Sequence, residues 1–386
     1  MPPAATAVAL RRGGGLYLHL PFCRSVCPYC HFTRTAAHDA GLRGRVAAAM
    51  AGEFALRAAR CALLREGRVQ LRTLYVGGGT PSVLEPRLLG TLLAATAGRL
   101  PAAADLEATA EANPESFTAA VADAWRAQGL NRVSLGLQSL DDAVLRRLGR
   151  AGNAADNRRA LALAARRFPR VAADWIVGPG VRPRSLVAEL REAVAAGVGH
   201  VSLYILEVHA GTPLAADVAA RRARPPGGRA LEACYLEAVA ALEALGLKQY
   251  EVANFARPGQ ESRHNRAYWR GVPWLGLGPG AHGFWGRRRY ANHADLLAYC
   301  GAVEEGRLPE DAVDPLAPAQ RRLERAVLAL RTAAGLPLSL VPAGALPLAR
   351  GEADGLWRLE DGALRLTPRG FLRLDGLESL LARALR

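Results

Sequence analysis

Three cysteines within eight residues constrain this chain more than any other feature. Cys23, Cys27 and Cys30 follow the spacing C-x3-C-x2-C, so one short loop can present three thiolates to a single metal centre. Iron–sulfur clusters are usually held by a thiolate on each iron. Three cysteines on a [4Fe–4S] cluster leave one iron for an exchangeable ligand. The loop therefore predicts an iron–sulfur site with an open coordination position.

Zinc is the alternative that the same loop leaves open. Structural zinc takes four ligands, commonly as two separated pairs, and His31 is the residue that could supply the fourth. Because His31 directly follows Cys30, its imidazole is poorly oriented to complete the tetrahedral coordination of a zinc ion bound by the three cysteines. We therefore favour the cluster.

The distribution of charge argues against a dedicated polyanion site. The formal net charge is +15, but Lys248 is the only lysine, and arginines are spread along all 386 residues. The use of arginine in place of lysine is typical of a GC-rich genome and does not indicate a basic patch that binds a specific partner. We expect no specific nucleic acid as a partner, although the charge is compatible with an acidic ligand or a membrane surface.

The other cysteines and the first residues indicate the compartment. Cys61, Cys234 and Cys300 lie singly in apolar, helix-like sequence, which is typical of buried, inert thiols. An exposed cluster loop also requires a reducing environment. No apolar run approaches the ~18 residues of a membrane span, and residues 1–15 lack the apolar core of a secretory signal. We expect a flexible leader at 1–15 and a cytoplasmic location.

Short apolar runs alternate with helical patterns, as in β/α units. Strands are predicted at residues 16–20, 71–76, 106–112, 132–137, 171–177 and 200–206. Helices are predicted at residues 42–64, 117–128, 153–168 and 185–196. These units are too few for an eight-stranded barrel and predict an α/β fold with an open, partial (β/α)6 TIM-like barrel. In such barrels the chemistry lies at the carboxyl ends of the strands.

The sequence after the sixth predicted strand predicts an extension of the barrel and a small C-terminal domain. A helix at 228–245 and a strand at 249–255 precede a stretch rich in Gly, Pro and aromatics at 258–290. A hairpin at 356–359 and 363–366 follows, and Thr367 caps a last helix that has Pro368 at its first position. We predict a barrel with its extension at 16–305 and a winged-helix-like domain at 306–386.

Polar side chains and glycines occur in serial order at the ends of predicted strands, with Arg150 twelve residues after Gln138 and Asp174 within the fifth strand. Carboxylates and amides at strand ends suit ribose hydroxyls and ammonium groups, and a guanidinium suits a carboxylate. Glycines let the backbone approach a ligand closely. The residues concerned are Gly79, Thr80, Glu111, Gln138, Arg150 and Asp174.

Together these runs resemble the radical S-adenosylmethionine (SAM) proteins of the coproporphyrinogen-oxidase-like family, with its HemN and HemW branches. The resemblance extends from about residue 16 to the C-terminus. It implies that Cys23, Cys27 and Cys30 hold the [4Fe–4S] cluster, whose open iron takes SAM. The SAM contacts that it implies are Tyr17, Tyr29, Gly79, Thr80, Glu111, Gln138, Arg150 and Asp174.

Two differences from the oxidase branch indicate that the chain resembles the other branch. The oxidases carry a further cysteine where this chain has Phe32, and they have a longer stretch before Tyr17. Residues 264–269 match the H-N-x-x-Y-W signature of the haem chaperones. By resemblance, His264 is the best candidate for the haem iron ligand, with Tyr268 and Trp269 as its aromatic wall. His282, His209 and His200 rank lower.

The resemblance implies a monomeric or homodimeric haem chaperone that passes haem to an acceptor, such as a respiratory haem protein. We expect no coproporphyrinogen III oxidase activity; that oxidase and a radical SAM enzyme acting on RNA are the alternatives. The chain also departs from the family pattern. His31 replaces the usual aspartate, Gly152 stands at a usual histidine, and residues 178–182 are irregular.

Overall fold

The computed structural model describes residues 13–224, 227–286, 288–344 and 346–385. Most of the predicted leader, residues 1–12, lies outside the described residues. The first strand begins at Gly14, two residues earlier than predicted, because Gly14 and Gly15 already pair with the neighbouring strand.

Six parallel strands form the centre of the fold, and each overlaps a predicted strand. They pair in chain order, and the sheet stays open within the described residues, which confirms the predicted α/β class. Their apolar runs are buried on both faces, as expected of a parallel sheet. The strands are β1 Gly14–Leu20, β2 Leu71–Gly78, β3 Ala102–Ala112, β4 Arg132–Gln138, β5 Arg170–Val177 and β6 His200–Ile205.

Helices connect these strands and begin at the caps that the sequence suggests. Asn153 and Asp156 form a reciprocal capping box, which satisfies two free N–H groups at the helix start. The predicted helix 42–64 is two helices, because Cys61 adopts an extended conformation between them. The helices are α1 Ala40–Arg60, α2 Ala62–Arg65, α3 Pro86–Ala95, α4 Ala119–Ala127, α5 Asp142–Arg147, α6 Ala154–Arg167, α7 Pro183–Ala195, α8 Pro213–Ala219 and α9 Arg229–Ala244.

Further strands extend the sheet on both sides. The predicted strand 249–255 is wrong as a single element: the chain reverses, and the Tyr250 N–H donates to the Asn254 carbonyl over 3.1 Å. On the other side, β9 pairs in parallel with β1, so β1 lies between β2 and β9. The added elements are β7 Lys248–Gln249, β8 Asn254–Ala256, α10 Arg263–Trp269, β9 Trp274–Leu277, β10 His282–Trp285, β11 Arg288–Asn292, α11 Leu296–Glu304 and β12 Glu310–Asp314.

A buried carboxylate joins this added sheet to α1. Glu53 accepts hydrogen bonds from the Tyr299 hydroxyl (2.6 Å), the Gly278 N–H (3.0 Å) and Asn292 Nδ2 (2.9 Å). It also pairs with Arg57 at 2.8 Å. Because a buried charge needs such partners, the network fixes the turn after β9 against α1.

The C-terminal segment packs around its own apolar cluster, which includes Leu330, Trp357, Phe371 and Leu381. Its hairpin forms as predicted, and Thr367 Oγ1 accepts from the Gly370 N–H. The boundary at 306 and the winged-helix-like character stay predictions. The elements are α12 Pro318–Leu330, β13 Leu336–Pro337, α13 Leu348–Ala353, β14 Trp357–Glu360, β15 Ala363–Leu366, α14 Pro368–Phe371 and α15 Leu374–Ala384.

None of the described helices is both long and apolar enough to cross a membrane.

Candidate functional site

The cysteine loop begins directly after β1 and is tied at its base. The Thr35 N–H donates to the Pro21 carbonyl (2.7 Å), and the Cys23 N–H donates to the Thr35 carbonyl (2.9 Å). Cys23 is buried, while Cys27 and Cys30 are half-buried. Burial raises the pKa of the Cys23 and Cys30 thiols. The loop thus presents three free thiols from a closed base.

His19 anchors the same loop and was missed by sequence reasoning. Its Nε2 lies 2.7 Å from the Thr33 carbonyl, which can only accept, so Nε2 carries the proton. Nδ1 then accepts from the Tyr17 hydroxyl at 2.9 Å. Burial lowers the pKa of His19, which favours this neutral form. The period-two spacing of Tyr17 and His19 on β1 was the available signal.

Two donors approach the cysteine sulfurs. Thr80 Oγ1 lies 3.4 Å from Cys23 Sγ, and Arg150 Nη1 lies 3.6 Å from Cys27 Sγ. Arg150 also donates to Asn113 Oδ1 at 2.9 Å, and Asn113 Nδ2 donates to Thr80 at 3.1 Å. Asn113 therefore connects the two donors. Positive charge and donated hydrogen bonds favour the thiolate, which is the form that binds metal.

A cavity of about 380 Å³ beside the loop, the cluster pocket, brings together nearly all predicted SAM residues. Three thiols, two carboxyl groups and a guanidinium suit a cluster and a ligand that carries ammonium, ribose and carboxylate groups. Gln138 ends β4 with φ of 67°, an uncommon conformation that is often found at functional sites. The residues are Cys23, Cys27, Tyr29, Cys30, Gly79, Thr80, Glu111, Gln138, Arg150 and Asp174.

Glu111 and Asp174, two of the carboxyl groups that line the cluster pocket, are buried where a cationic ligand could pair with them. Glu111 accepts from the Tyr75 hydroxyl (2.7 Å) and the Gly78 N–H (3.2 Å), and burial raises its pKa to about 7. Burial also raises the pKa of Asp174. A bound cation would favour their charged forms.

A larger cavity of about 1080 Å³, the aromatic cavity, opens beside the cluster pocket. Predicted residue Tyr17 lines this cavity and not the smaller one. The two cavities share Phe32, Gly78, Glu111 and Tyr204 among their lining residues. Other residues that line the aromatic cavity are Tyr75, Glu251, Asn254, His264, Tyr268, Trp269, Arg331 and Phe371.

His264 lines the aromatic cavity but has both ring nitrogens occupied. Nδ1 lies 2.8 Å from Thr73 Oγ1 and Nε2 lies 2.7 Å from the Tyr268 hydroxyl. The residue is 1% exposed, and burial lowers its pKa to about 3. For His264 to bind iron through Nε2, the Tyr268 hydroxyl must move away. Its role as haem ligand stays a prediction.

Glu107, which sequence reasoning missed, fixes the start of α10. It is buried on β3 and accepts from the backbone N–H of Arg263 (3.1 Å) and of His264 (3.0 Å). Glu107 shares a strand face with Glu111, four residues on. It therefore positions the helix that carries His264, Tyr268 and Trp269.

The three lower-ranked histidines lie in different surroundings. His200 is buried and its Nε2 contacts the Tyr250 hydroxyl at 2.8 Å. His282 is exposed and lines neither cavity. His209 lines the cluster pocket, where it contacts Glu207.

Unpaired polar atoms mark the inner wall of the aromatic cavity. Asn254 and Trp269 lie close enough to Glu251 to counteract part of the effect of burial on its pKa. Even so, Glu251 Oε1, Asn254 Oδ1 and Trp269 Nε1 are buried and make no hydrogen bond of ordinary geometry in the described part of the chain. Burial raises the pKa of Glu251 to about 7. Buried polar groups are normally paired, so these atoms indicate room for a ligand with polar groups.

Comparison with known proteins agrees with this fold and pocket. A model of the Radical SAM superfamily matches residues 17–193. Coproporphyrinogen III oxidase (HemN) from Escherichia coli, a radical SAM enzyme, is similar in fold, with a TM-score of 0.79 at 22% identity over 98% of this chain and 92% of that chain. The fold and the cysteine pocket are thus those of a radical SAM protein, which implies a [4Fe–4S] cluster and SAM.

Relatives define the family more narrowly. "Heme chaperone HemW" from Mycobacterium tuberculosis is 39% identical over 373 residues, covering 94% of this chain and 93% of the relative. The protein of the same description from Escherichia coli is 34% identical over 277 residues, covering 69% of each chain. The chain belongs to the HemW-like family of radical SAM proteins, which confirms the predicted resemblance.

Proposed function

We propose that this protein is a haem chaperone that binds one haem and passes it to an acceptor protein. The observation that carries the proposal is the aromatic cavity, which adjoins the cluster pocket in a chain whose relatives over nearly its whole length are described as haem chaperones. Its volume of about 1080 Å³ is that of a large ligand site. Haem is an apolar disc with acidic propionates, and the cavity offers aromatic walls and polar groups.

Within this proposal the cluster pocket holds the cofactors. Cys23, Cys27 and Cys30 would hold the [4Fe–4S] cluster, which supplies one-electron chemistry and an open iron when bound. Arg150 would then face a carboxylate of SAM. The remaining assignments are Tyr29, Gly79, Thr80, Glu111, Gln138 and Asp174 around SAM, with Tyr17 behind the loop anchor His19.

Within the aromatic cavity, Tyr268 and Trp269 form the wall against which haem packs. Trp269 Nε1 and a protonated Glu251 can each donate a hydrogen bond to a propionate. A haem site built from these groups needs no thiol at position 32, where Phe32 is 56% exposed. That residue weighs against the oxidase alternative.

The test is anaerobic reconstitution followed by haem titration. We expect saturable binding with a defined Soret band, and transfer of the haem to apomyoglobin as a probe acceptor. SAM cleavage is measured in the same sample. Absence of saturable haem binding would overturn the proposal. So would conversion of coproporphyrinogen III to a product with fewer carboxylates at an enzymatic rate of ~1 s⁻¹ or above.

A further inference from the structure

Two imidazole rings contact each other at a tilt where the cluster pocket meets the aromatic cavity. The ring centroids of His31 and His209 lie 3.8 Å apart with an interplanar angle of 38°. His31 belongs to the cysteine loop, and His209 to the segment after β6. Both line the cluster pocket, and their neighbours Phe32 and Glu207 line both cavities.

Among the described histidines that line the cluster pocket or the aromatic cavity, His31 has both ring nitrogens free to bind a ligand. Its side chain is exposed, and within the described ranges no hydrogen-bond partner reaches either ring nitrogen. By contrast, His264 and His19 are buried with both nitrogens bonded. An axial haem ligand needs an accessible nitrogen lone pair, so His31 meets this requirement in the structure as it stands.

His209 and Glu207 form a support for the His31 ring. His209 Nε2 lies 3.2 Å from Glu207 Oε2. Histidines that bind metals commonly donate their other ring N–H to a carboxylate, which fixes the ring. Here the carboxylate of Glu207 holds the neighbouring His209, and the ring of His209, in contact with that of His31, limits the rotation of His31. His209 is therefore a positioning residue.

The surroundings of this histidine pair suit a flat apolar ligand with acidic groups. Phe32 and Tyr204 are 56% and 45% exposed, and both line the two cavities. The Phe32 ring centroid lies 4.6 Å from that of His31. Exposed large apolar side chains that cluster at one site mark a binding surface. Arg34 lines the same pocket, and its buried Nε has no partner among the described residues.

We infer that His31 is the iron ligand of haem in this chain, positioned by His209 and Glu207. One edge of the haem lies against the exposed rings of Phe32 and Tyr204, which line both cavities, and the rest lies in the aromatic cavity against Tyr268 and Trp269. The inference rests on the proposed haem chaperone function and replaces His264 as its iron ligand. His31 stands where the family pattern has aspartate, so the ligand distinguishes this chain from that pattern.

The experiment compares variants of the reconstituted full chain in anaerobic haem titrations. His31→Ala and His31→Asp should each weaken haem binding about ten-fold or more and shift the Soret band. Added imidazole should restore the wild-type spectrum in His31→Ala, which a purely structural defect would not allow. His282→Ala is the matched control and should keep the Soret position, because His282 is exposed and lines neither cavity. His264→Ala tests the alternative ligand.

His209→Ala tests the positioning role. It should weaken haem binding less than His31→Ala does and change the electron paramagnetic resonance g values of the ferric haem. If His31→Ala loses its cluster absorption, the haem titrations of His31→Asp and His209→Ala decide whether His31 binds the haem iron.

The outcomes separate the inference from the function on which it rests. If the wild type fails to bind haem, the proposed function fails. If the wild type binds haem and the His31 variants bind it with unchanged affinity and spectrum, the inference is overturned while the function stands. Loss of the Soret signature in His264→Ala alone would assign the iron to His264.

Discussion

The cluster pocket and the aromatic cavity adjoin each other but are built on opposite principles. In the cluster pocket, Thr80, Asn113 and Arg150 are bonded to one another or to the cysteine sulfurs. In the aromatic cavity, Glu251 and Trp269 keep buried polar atoms without partners. Around the cysteines the first site is preorganised by its own residues, and among its described lining residues the unpaired buried atom is Arg34 Nε. The second site leaves several polar groups for its ligand to satisfy.

The two sites also draw on the chain differently. The described residues that line the cluster pocket all lie between Cys23 and His209, mostly at the ends of successive strands. The aromatic cavity combines β1, α10 and the C-terminal helices as far as Asp375. A site assembled from distant segments depends more on how those segments pack. We therefore expect mutations to affect the two sites independently.

The largest expected effect is on cluster binding, which should require the three loop cysteines and not the other three. Cys27→Ala should abolish cluster binding, so that iron falls from about four per chain to near zero. Cys61→Ala should keep it, because Cys61 lies between α1 and α2, away from the loop. Iron analysis and charge-transfer absorption of the reconstituted proteins measure both. A full cluster in Cys27→Ala would contradict the assignment, and stoichiometric zinc without iron in protein purified anaerobically would restore the zinc alternative.

The second prediction concerns stability and pH. Burial raises the pKa of Glu111 and Glu251 to about 7 in the folded chain. In the unfolded chain each ionises near its ordinary pKa of about 4.3. The unfolded state therefore loses protons first, and stability falls as pH rises from about 4.5 to about 7, by roughly 3 kcal/mol for each group.

Glu251→Gln should remove its share of this loss and flatten the pH profile of the free energy of unfolding. The profile is measured by chemical denaturation of variant and wild type across that range. An unchanged slope in the variant would mean that Glu251 ionises normally in the folded state.

The third prediction is that Glu111 contributes to SAM binding and Glu251 does not. Glu111→Gln should weaken SAM binding by roughly 10- to 100-fold, because it replaces a charged partner of the ligand with a neutral one. Glu251→Gln should leave SAM binding unchanged, since Glu251 lines only the aromatic cavity. Equilibrium dialysis of SAM on the reconstituted proteins measures both. Equal losses in the two variants would show that the sites are coupled.

The smallest expected effect comes from one hydroxyl. Tyr268→Phe leaves Nε2 of buried His264 without a partner, which should cost about 1–2 kcal/mol of stability. Haem affinity should stay the same if His31 binds the iron. A gain in haem affinity would instead indicate that freeing Nε2 lets His264 bind, so thermal unfolding is measured together with a haem titration.

Much of this fold could be predicted from the sequence because the patterns that indicate it lie within short segments of the chain. Six parallel strands appear as short apolar runs, and the capping box of Asn153 and Asp156 lies within four residues. The same holds for the cysteine loop and for the polar residues at strand ends. The structure places those residues around one pocket, although their individual roles stay predictions.

The features that sequence reasoning missed depend on distant partners. Glu107 is buried because α10 and Arg170 meet it from later parts of the chain. Asn113 is explained only by Thr80 and Arg150 on neighbouring strand ends. The reversal within 249–255 similarly depends on a contact between Glu251 and Thr332. No local window of sequence contains these partners.

The position of β1 between β2 and β9 has a consequence for synthesis on the ribosome. β2 follows β1 closely, but β9 ends only at Leu277. At a synthesis rate of about 5–20 residues per second, one edge of β1 stays open for roughly 10–40 s after β2 is complete. The cysteine loop thus leaves the ribosome on a strand that awaits its second neighbour. The three thiols therefore precede completion of the sheet by that interval.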